Sequence, residues 1–192
     1  MSEQLLQSSS RGACGMPPVI LTRSGHDFDL LAPESSRIEI ADIAHALSNI
    51  CRFTGHTHQF YSVAEHSWWC SLMVAPADAL AALLHDAAEA YVGDVSSPLK
   101  ALLPEYRRIE HRIHAAICAR FGLSVDASPA VKRADQWMLR SEQIYCMGSW
   151  KDSPRLDGFA SLDAIKPYYW RPEVARSKFL ERFGELYGEV AK

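Results

Sequence analysis

Leu83-Leu84-His85-Asp86-Ala87-Ala88-Glu89 is the stretch that decides how this chain is read. It lies in a run that opens at Pro76 and Asp78 and continues through about Tyr91, with Gly93 as a natural terminator, a pattern that predicts a helix. At about 100° per residue, Leu80, Leu83, Leu84, Ala87 and Tyr91 fall on one side, and His85, Asp86 and Glu89 share a sector of roughly 100° on the other. A surface helix would show the same split. Here, however, Ala81, Ala82, Ala88 and Ala90 border the polar sector, so no face is clearly solvated and the helix is expected to be buried all round. An interior His-Asp pair with a Glu one turn on must then be satisfied, because an unpaired buried carboxylate costs several kcal/mol or changes its protonation state. A divalent cation satisfies it: two neutral imidazoles and two carboxylates balance a 2+ charge and leave positions for water and a substrate oxygen. His66, one helix upstream, and Asp135, in the helix that starts at Pro129, are the candidates for the other two ligands.

Outward from this stretch almost everything reads helical. Ile40, Ile43, Ala44, Leu47 and Ile50 keep helical spacing, and Phe53-Thr54-Gly55-His56 reads as a loop. Ser62-Val63-Ala64-Glu65 has the form of a capping box and predicts a helix to about Val74, with His66 in its first turn. Pro104 to Phe121 carries an apolar stripe through Tyr106, Ile109, Ile113 and Ile117, closed by Gly122. Ser128-Pro129 starts a helix to about Cys146, and Pro172 to Tyr187 supplies a last one. Before the helices, the residues from Val19 predict a short hairpin turning at Ser24-Gly25, and residues 1–18, rich in Ser, Gly and Pro, a flexible arm. The fold class is therefore all-α, one helical bundle over residues 19–192 with a short N-terminal β-hairpin.

The chain has 192 residues, 20 Lys and Arg against 23 Asp and Glu, and 48% hydrophobic content. That is a globular composition, long enough to bury roughly 70% of the unfolded surface, and it excludes a disordered protein. A formal charge of −3 argues against a nucleic-acid coat, and no apolar run approaches the ~20 residues of a membrane span. Neither nucleic acid nor membrane is expected as a partner. Cys14, Cys51, Cys70, Cys118 and Cys146 form no C-x-x-C pair and follow no secretory signal, so they read as reduced, small buried hydrophobes of a cytoplasmic protein.

The order His66, His85-Asp86, Asp135 resembles the H…HD…D signature of the HD-domain metal-dependent phosphohydrolases. Ser62-Val63-Ala64-Glu65-His66-Ser67, the run from His85-Asp86 through Glu89 to Gly93-Asp94, and Pro98-Leu99-Lys100 are similar to segments of the bacterial deoxynucleoside 5′-monophosphate phosphatases. A tighter match is to small HD proteins that include phage dATP triphosphohydrolases, through residues 42–48, Cys51-Arg52-Phe53-Thr54-Gly55-His56 and Phe60-Tyr61-Ser62-Val63. The resemblance spans about residues 19–146, and the last forty residues add little to it.

What it implies is a deoxynucleotide phosphohydrolase. His66, His85, Asp86 and Asp135 would hold a divalent transition metal, Co²⁺, Mn²⁺ or Zn²⁺, with additional Mg²⁺ at the phosphates. Glu89 would orient or deprotonate the attacking water, and Asp94 would serve the leaving 5′ oxygen. Arg52 and Phe53 match the Arg-Trp pair that grips nucleotide in the monophosphatases; Phe keeps the stacking surface and loses the indole donor. Lys100 corresponds to a phosphate-contacting lysine. The leading substrate is dATP, cleaved to deoxyadenosine and triphosphate to deplete the dATP pool, as suits phages with 2-aminoadenine DNA; a phage-encoded chain would act in the host cytoplasm. Deoxynucleoside monophosphates are the alternative, and a non-catalytic nucleotide-binding HD regulator is an alternative of another class. A homo-oligomer, dimer or hexamer, is implied.

Taken singly, each of these residues has a plainer reading. The ligand candidates could be hydrogen-bonded structural groups, Asp94 a turn residue after glycine, Arg52 a surface ion-pair partner and Lys100 a solvated lysine. His111 and His114, three apart on one helix, read as structural or exposed. Trp68-Trp69 and Tyr168-Tyr169-Trp170 read as core or subunit-contact material.

Overall fold

A computed structural model describes residues 18–147 and 165–190. The N-terminal arm expected over residues 1–18 lies outside them, apart from Pro18. The hairpin forms as expected: β1 (Val19–Leu21) pairs antiparallel with β2 (Asp27–Asp29), Ile20 opposite Phe28. Gly25 supplies a positive φ in the turn between them. All other regular structure among the described residues is helical: α1 (Ile40–Asn49), α2 (Val63–Leu72), α3 (Pro76–Leu83), α4 (Glu89–Val92), α5 (Ser97–Lys100), α6 (Pro104–Phe121), α7 (Pro129–Cys146) and α8 (Pro172–Val190), with single 3₁₀ turns at Pro33–Ser35 and Phe53–Gly55.

α1, α2 and α3 pack around α8, and α4 lies against α1. Their shared core contains Ile43, Leu47, Leu83, Leu84, Ile113, Ile117 and Phe179, none more than 1% exposed. Each such side chain contributes about 1.5–3 kcal/mol relative to exposure. Phe28 of the hairpin stacks on Tyr91 of α4, ring centroids 3.8 Å apart, which seals the hairpin onto the bundle. A second cluster, Cys70, Ala82, Val131, Ala134 and Met138, joins α2, α3 and α7. It locks together the three segments that carry the site.

The expected helix from Pro76 to Tyr91 is broken. α3 stops at Leu83, residues 84–88 turn tightly, and α4 begins at Glu89. The cause is local competition for a carbonyl: His85 Nδ1 lies 2.8 Å from the Ala82 carbonyl oxygen, which a continuing helix would offer to the Asp86 N–H. The following amides reach back only three residues, Ala87 to Leu84 and Glu89 to Asp86. His85 and Asp86 therefore sit in a turn, not within a helix.

The capping box is half present. Ser62 Oγ accepts from the Glu65 N–H at 3.1 Å, but the Glu65 carboxylate does not return the bond. It accepts instead from the backbone N–H groups of Tyr168 (2.6 Å), Tyr169 (3.2 Å) and Trp170 (2.7 Å), just before α8.

Candidate metal centre

His66 points inward from the first turn of α2, His85 and Asp86 from the turn after α3, and Asp135 from the second turn of α7. The structure brings these four side chains to one point. His66 Nε2 lies 3.3 Å from His85 Nε2, 3.6 Å from Asp86 Oδ2 and 3.3 Å from Asp135 Oδ1. His85 Nε2 lies 3.2 Å from Asp86 Oδ2 and 3.8 Å from Asp135 Oδ1. Ligands bound at about 2.1 Å in a tetrahedron stand about 3.4 Å apart, which is the middle of this range.

The other ring nitrogens are committed. His66 Nδ1 is 2.6 Å from Glu142 Oε1, and His85 Nδ1 faces the Ala82 carbonyl. Each Nδ1 therefore carries the proton, and each Nε2 turns a lone pair toward the cluster, the tautomer a metal-binding histidine needs. Burial works against charge on both rings, as does Arg52 at His66, yet Cys70 and Glu142 beside His66, Asp86 beside His85 and Asp135 beside both outweigh it and hold both well above the usual imidazole range. Burial also works against ionising Asp86 and Asp135, and the imidazoles outweigh it, holding both carboxyls well below the usual range. Two protons on nitrogens 3.3 Å apart would repel; one divalent cation meets the same demand for positive charge without that conflict. The donor set fits a divalent metal.

Cys70 belongs to this neighbourhood as well. Its Sγ lies 3.6 Å from His66 Nε2, and donor atoms of His66, Cys70 and His85 all lie within 4.8 Å of one another. Reading every cysteine as a packing residue misses this. The signal was available in the i, i+4 spacing from His66 to Cys70, which puts both on one face of α2. Glu142 was missed too; it follows Asp135 by two helical turns on α7.

No protein-family model matches the chain. It is 43% identical over 168 residues to the uncharacterized protein YfdR of Escherichia coli strain K12, a match covering 87% of this chain and 94% of the relative. The chain belongs to the YfdR family. It is also 42% identical over 121 residues to an uncharacterized protein of Rhodobacter capsulatus, 58% of this chain and 62% of that one.

In this member of the YfdR family, two cavities of about 470 Å³ each meet at the cluster, both lined by Asp86, Glu89, Lys100 and Asp135. One extends past Arg107, His111, His114 and Lys132. His111 and His114 are thus cavity residues, and His114 Nε2 also lies 3.4 Å from Cys118 Sγ. The other cavity is lined by Arg52, Phe53 and Asp94. Glu89, 5% exposed, presents an Oε2 with no hydrogen-bond partner. Burial, reinforced by the like charges of Asp86 and Asp94, pushes its carboxyl up to about 8. Burial raises Asp94 as well.

Arg52 is not a surface ion-pair residue. It is 9% exposed and donates to Glu142 Oε2 (3.1 Å) and Asp86 Oδ2 (3.5 Å), tying the carboxylate behind His66 to one beside His85. Its guanidinium lies 5.7 Å from the Phe53 ring centre. Phe53 and Thr54 both hold positive φ (55° and 53°), a costly conformation for a β-branched residue that the surrounding loop enforces at the cavity wall. Lys100 is already engaged, by Glu110 (2.6 Å) and Glu89 (3.3 Å).

Among the described residues, no helix is long and apolar enough to cross a membrane.

Proposed function

We propose that this protein is an HD-domain metal-dependent phosphohydrolase of deoxynucleotides, and that its leading substrate is dATP. One observation carries the reading: donor atoms from three separate segments converge where cavities meet, the Nε2 atoms of His66 and His85 standing 3.3 Å from each other and each 3.2–3.8 Å from Asp86 Oδ2 and Asp135 Oδ1. His66, His85, Asp86 and Asp135 would hold a divalent metal, which would supply Lewis acidity at a phosphoryl centre.

The chain's own residues divide the remaining work. Glu89, one turn past His85 with a free buried oxygen, takes the proton of the attacking water when its own carboxyl is ionised, so this role strengthens as pH rises toward 8. Asp94 returns a proton to the 5′ oxygen as the bond from phosphorus to that oxygen breaks. Arg52 and Lys100 balance phosphate charge, and Phe53 stacks on the base. The pair of cavities favours a triphosphate over a monophosphate. The arm with Arg52 and Phe53 suits a nucleoside, and the arm with Arg107 and Lys132, which also contains Glu110, has two cations placed to meet a polyphosphate beyond the scissile bond. Attack at the α-phosphorus then yields deoxyadenosine and inorganic triphosphate.

The test is incubation of the purified protein with Mn²⁺ or Co²⁺ and a panel of dNTPs, dNMPs and rNTPs, resolving triphosphate from orthophosphate. Triphosphate from dATP supports the reading. Orthophosphate from dNMPs alone replaces it with the monophosphatase, and silence across the panel from metal-loaded protein overturns hydrolysis in favour of a nucleotide-binding regulator.

A further inference from the structure

The metal centre proposed above is built from donors of two chemical kinds at two depths. Asp135 and Asp86, the oxygen donors, face the cavities, with side chains 43% and 21% exposed. His66 and Cys70 form the floor, and both are completely buried. Cys70 sits one turn beyond His66 on α2, so one helix face delivers an imidazole nitrogen and a sulfur to the same place. Their separation is the informative number. A metal bonded to sulfur at about 2.3 Å and to nitrogen at about 2.05 Å with a tetrahedral angle holds the two atoms about 3.5 Å apart; Cys70 Sγ and His66 Nε2 are 3.6 Å apart. His85 Nε2 completes the trio.

The packing role of Cys70 does not account for this. Its neighbours in the second core cluster, Ala82, Val131, Ala134 and Met138, are apolar and call on no donor property of the thiol. Among the donor atoms gathered at His66 and His85, the Cys70 sulfur is the one a thiophilic cation prefers.

We infer that Cys70 is a thiolate donor to this centre, seating thiophilic cations such as Zn²⁺ and Co²⁺ on the floor with His66 and His85 and biasing the site away from Mg²⁺. A hard cation gains nothing from sulfur and is held at the mouth by Asp86 and Asp135. One constellation thus offers two seats that share both histidines. The depth of the ion, and with it the number of positions left to water, follows from which metal is loaded. The inference rests on the metal centre of the proposed function and not on its substrate.

The test loads the full-length, metal-stripped protein with one equivalent of Co²⁺ and records its absorption. Direct thiolate ligation gives a near-ultraviolet sulfur-to-cobalt charge-transfer band. We expect the band in the wild type and in Cys118→Ser, which removes a second sulfur lying 3.4 Å from a histidine nitrogen, and its loss in Cys70→Ser and Cys70→Ala. Two variants are used because serine in the apolar cluster endangers folding, and the wild-type spectrum needs neither. Cobalt bound at one equivalent without the band, or a band that survives in both Cys70 variants, overturns the inference and leaves the hydrolytic centre standing. No cobalt bound at all overturns both.

Discussion

Asp86 and Glu89 are three residues apart, and the proposed mechanism gives them separable jobs. Asp86 closes the oxygen side of the cluster around His66 and His85, so Asp86→Ala is expected to abolish stoichiometric Mn²⁺ binding and Mn²⁺-supported turnover together. Glu89 has a free buried oxygen, so Glu89→Gln is expected to keep the metal and lower kcat by about 10²–10⁴-fold, read by metal analysis of the same sample that is assayed. A Glu89→Gln enzyme turning over at the wild-type rate removes that residue from the chemistry. Glu142 acts at one remove, holding His66 Nδ1 at 2.6 Å and Arg52 at 3.1 Å. Glu142→Gln keeps an acceptor but loses the charge, and metal affinity is expected to fall about 10–100-fold in competition with a chromogenic chelator. At this scale His85, Asp86 and Glu89 were legible because they are close in sequence on an otherwise alanine-rich run. Glu142 and Cys70 kept helical spacing from a ligand candidate, but a buried carboxylate and a buried thiol announce a role only when their contacts are known.

Periodicity located every long helix to within a few residues, because burial of one stripe governs each of them. It failed between Leu83 and Glu89, where a side chain of the functional motif takes the carbonyl that would have extended the helix. That failure sits at the site itself, as expected where local preference yields to function. The turn is closed by Gly93, whose φ of 79° and ψ of 161° fall in a region open essentially to glycine alone, and whose carbonyl accepts from the Tyr106 hydroxyl of α6 at 2.9 Å. An added methyl group there meets nothing within 4 Å, so the strain of Gly93→Ala is purely conformational. It is expected to lower unfolding free energy by about 1–3 kcal/mol in urea melts and to reduce turnover further by displacing Asp94. An unchanged denaturation midpoint contradicts this account of the turn.

On the scale of the whole molecule, the last forty residues carry no motif, and their importance was invisible in the sequence. Yet Phe179 of α8 is fully buried among residues of α1, α2 and α3, and the approach to that helix is held by Glu65, more than 100 residues earlier and next to His66 in sequence. Contacts at such separation leave no local pattern, and Glu65 had a ready local explanation as the second half of a capping box. Its carboxylate gathers three backbone N–H groups and forms no ion pair among the described residues, so it works as a keystone between the α2 face that presents His66 and the C-terminal helix. Glu65→Ala strips all three donors of their acceptor at once. Stability is expected to fall by about 3–5 kcal/mol, the range for breaking a buried charged network, while Glu65→Gln, which retains one carbonyl oxygen for Tyr168 and Tyr169, is expected to lose less than half of that. Because Glu65 stands beside His66 in the first turn of α2 and ties that turn to the segment before α8, the alanine variant should also bind metal more weakly at temperatures where it remains folded, whereas truncating an exposed α8 side chain such as Val174 should change neither property. Thermal and urea denaturation with and without one equivalent of metal reads both effects. A Glu65→Ala protein with wild-type stability would show that α8 docks through its apolar face alone.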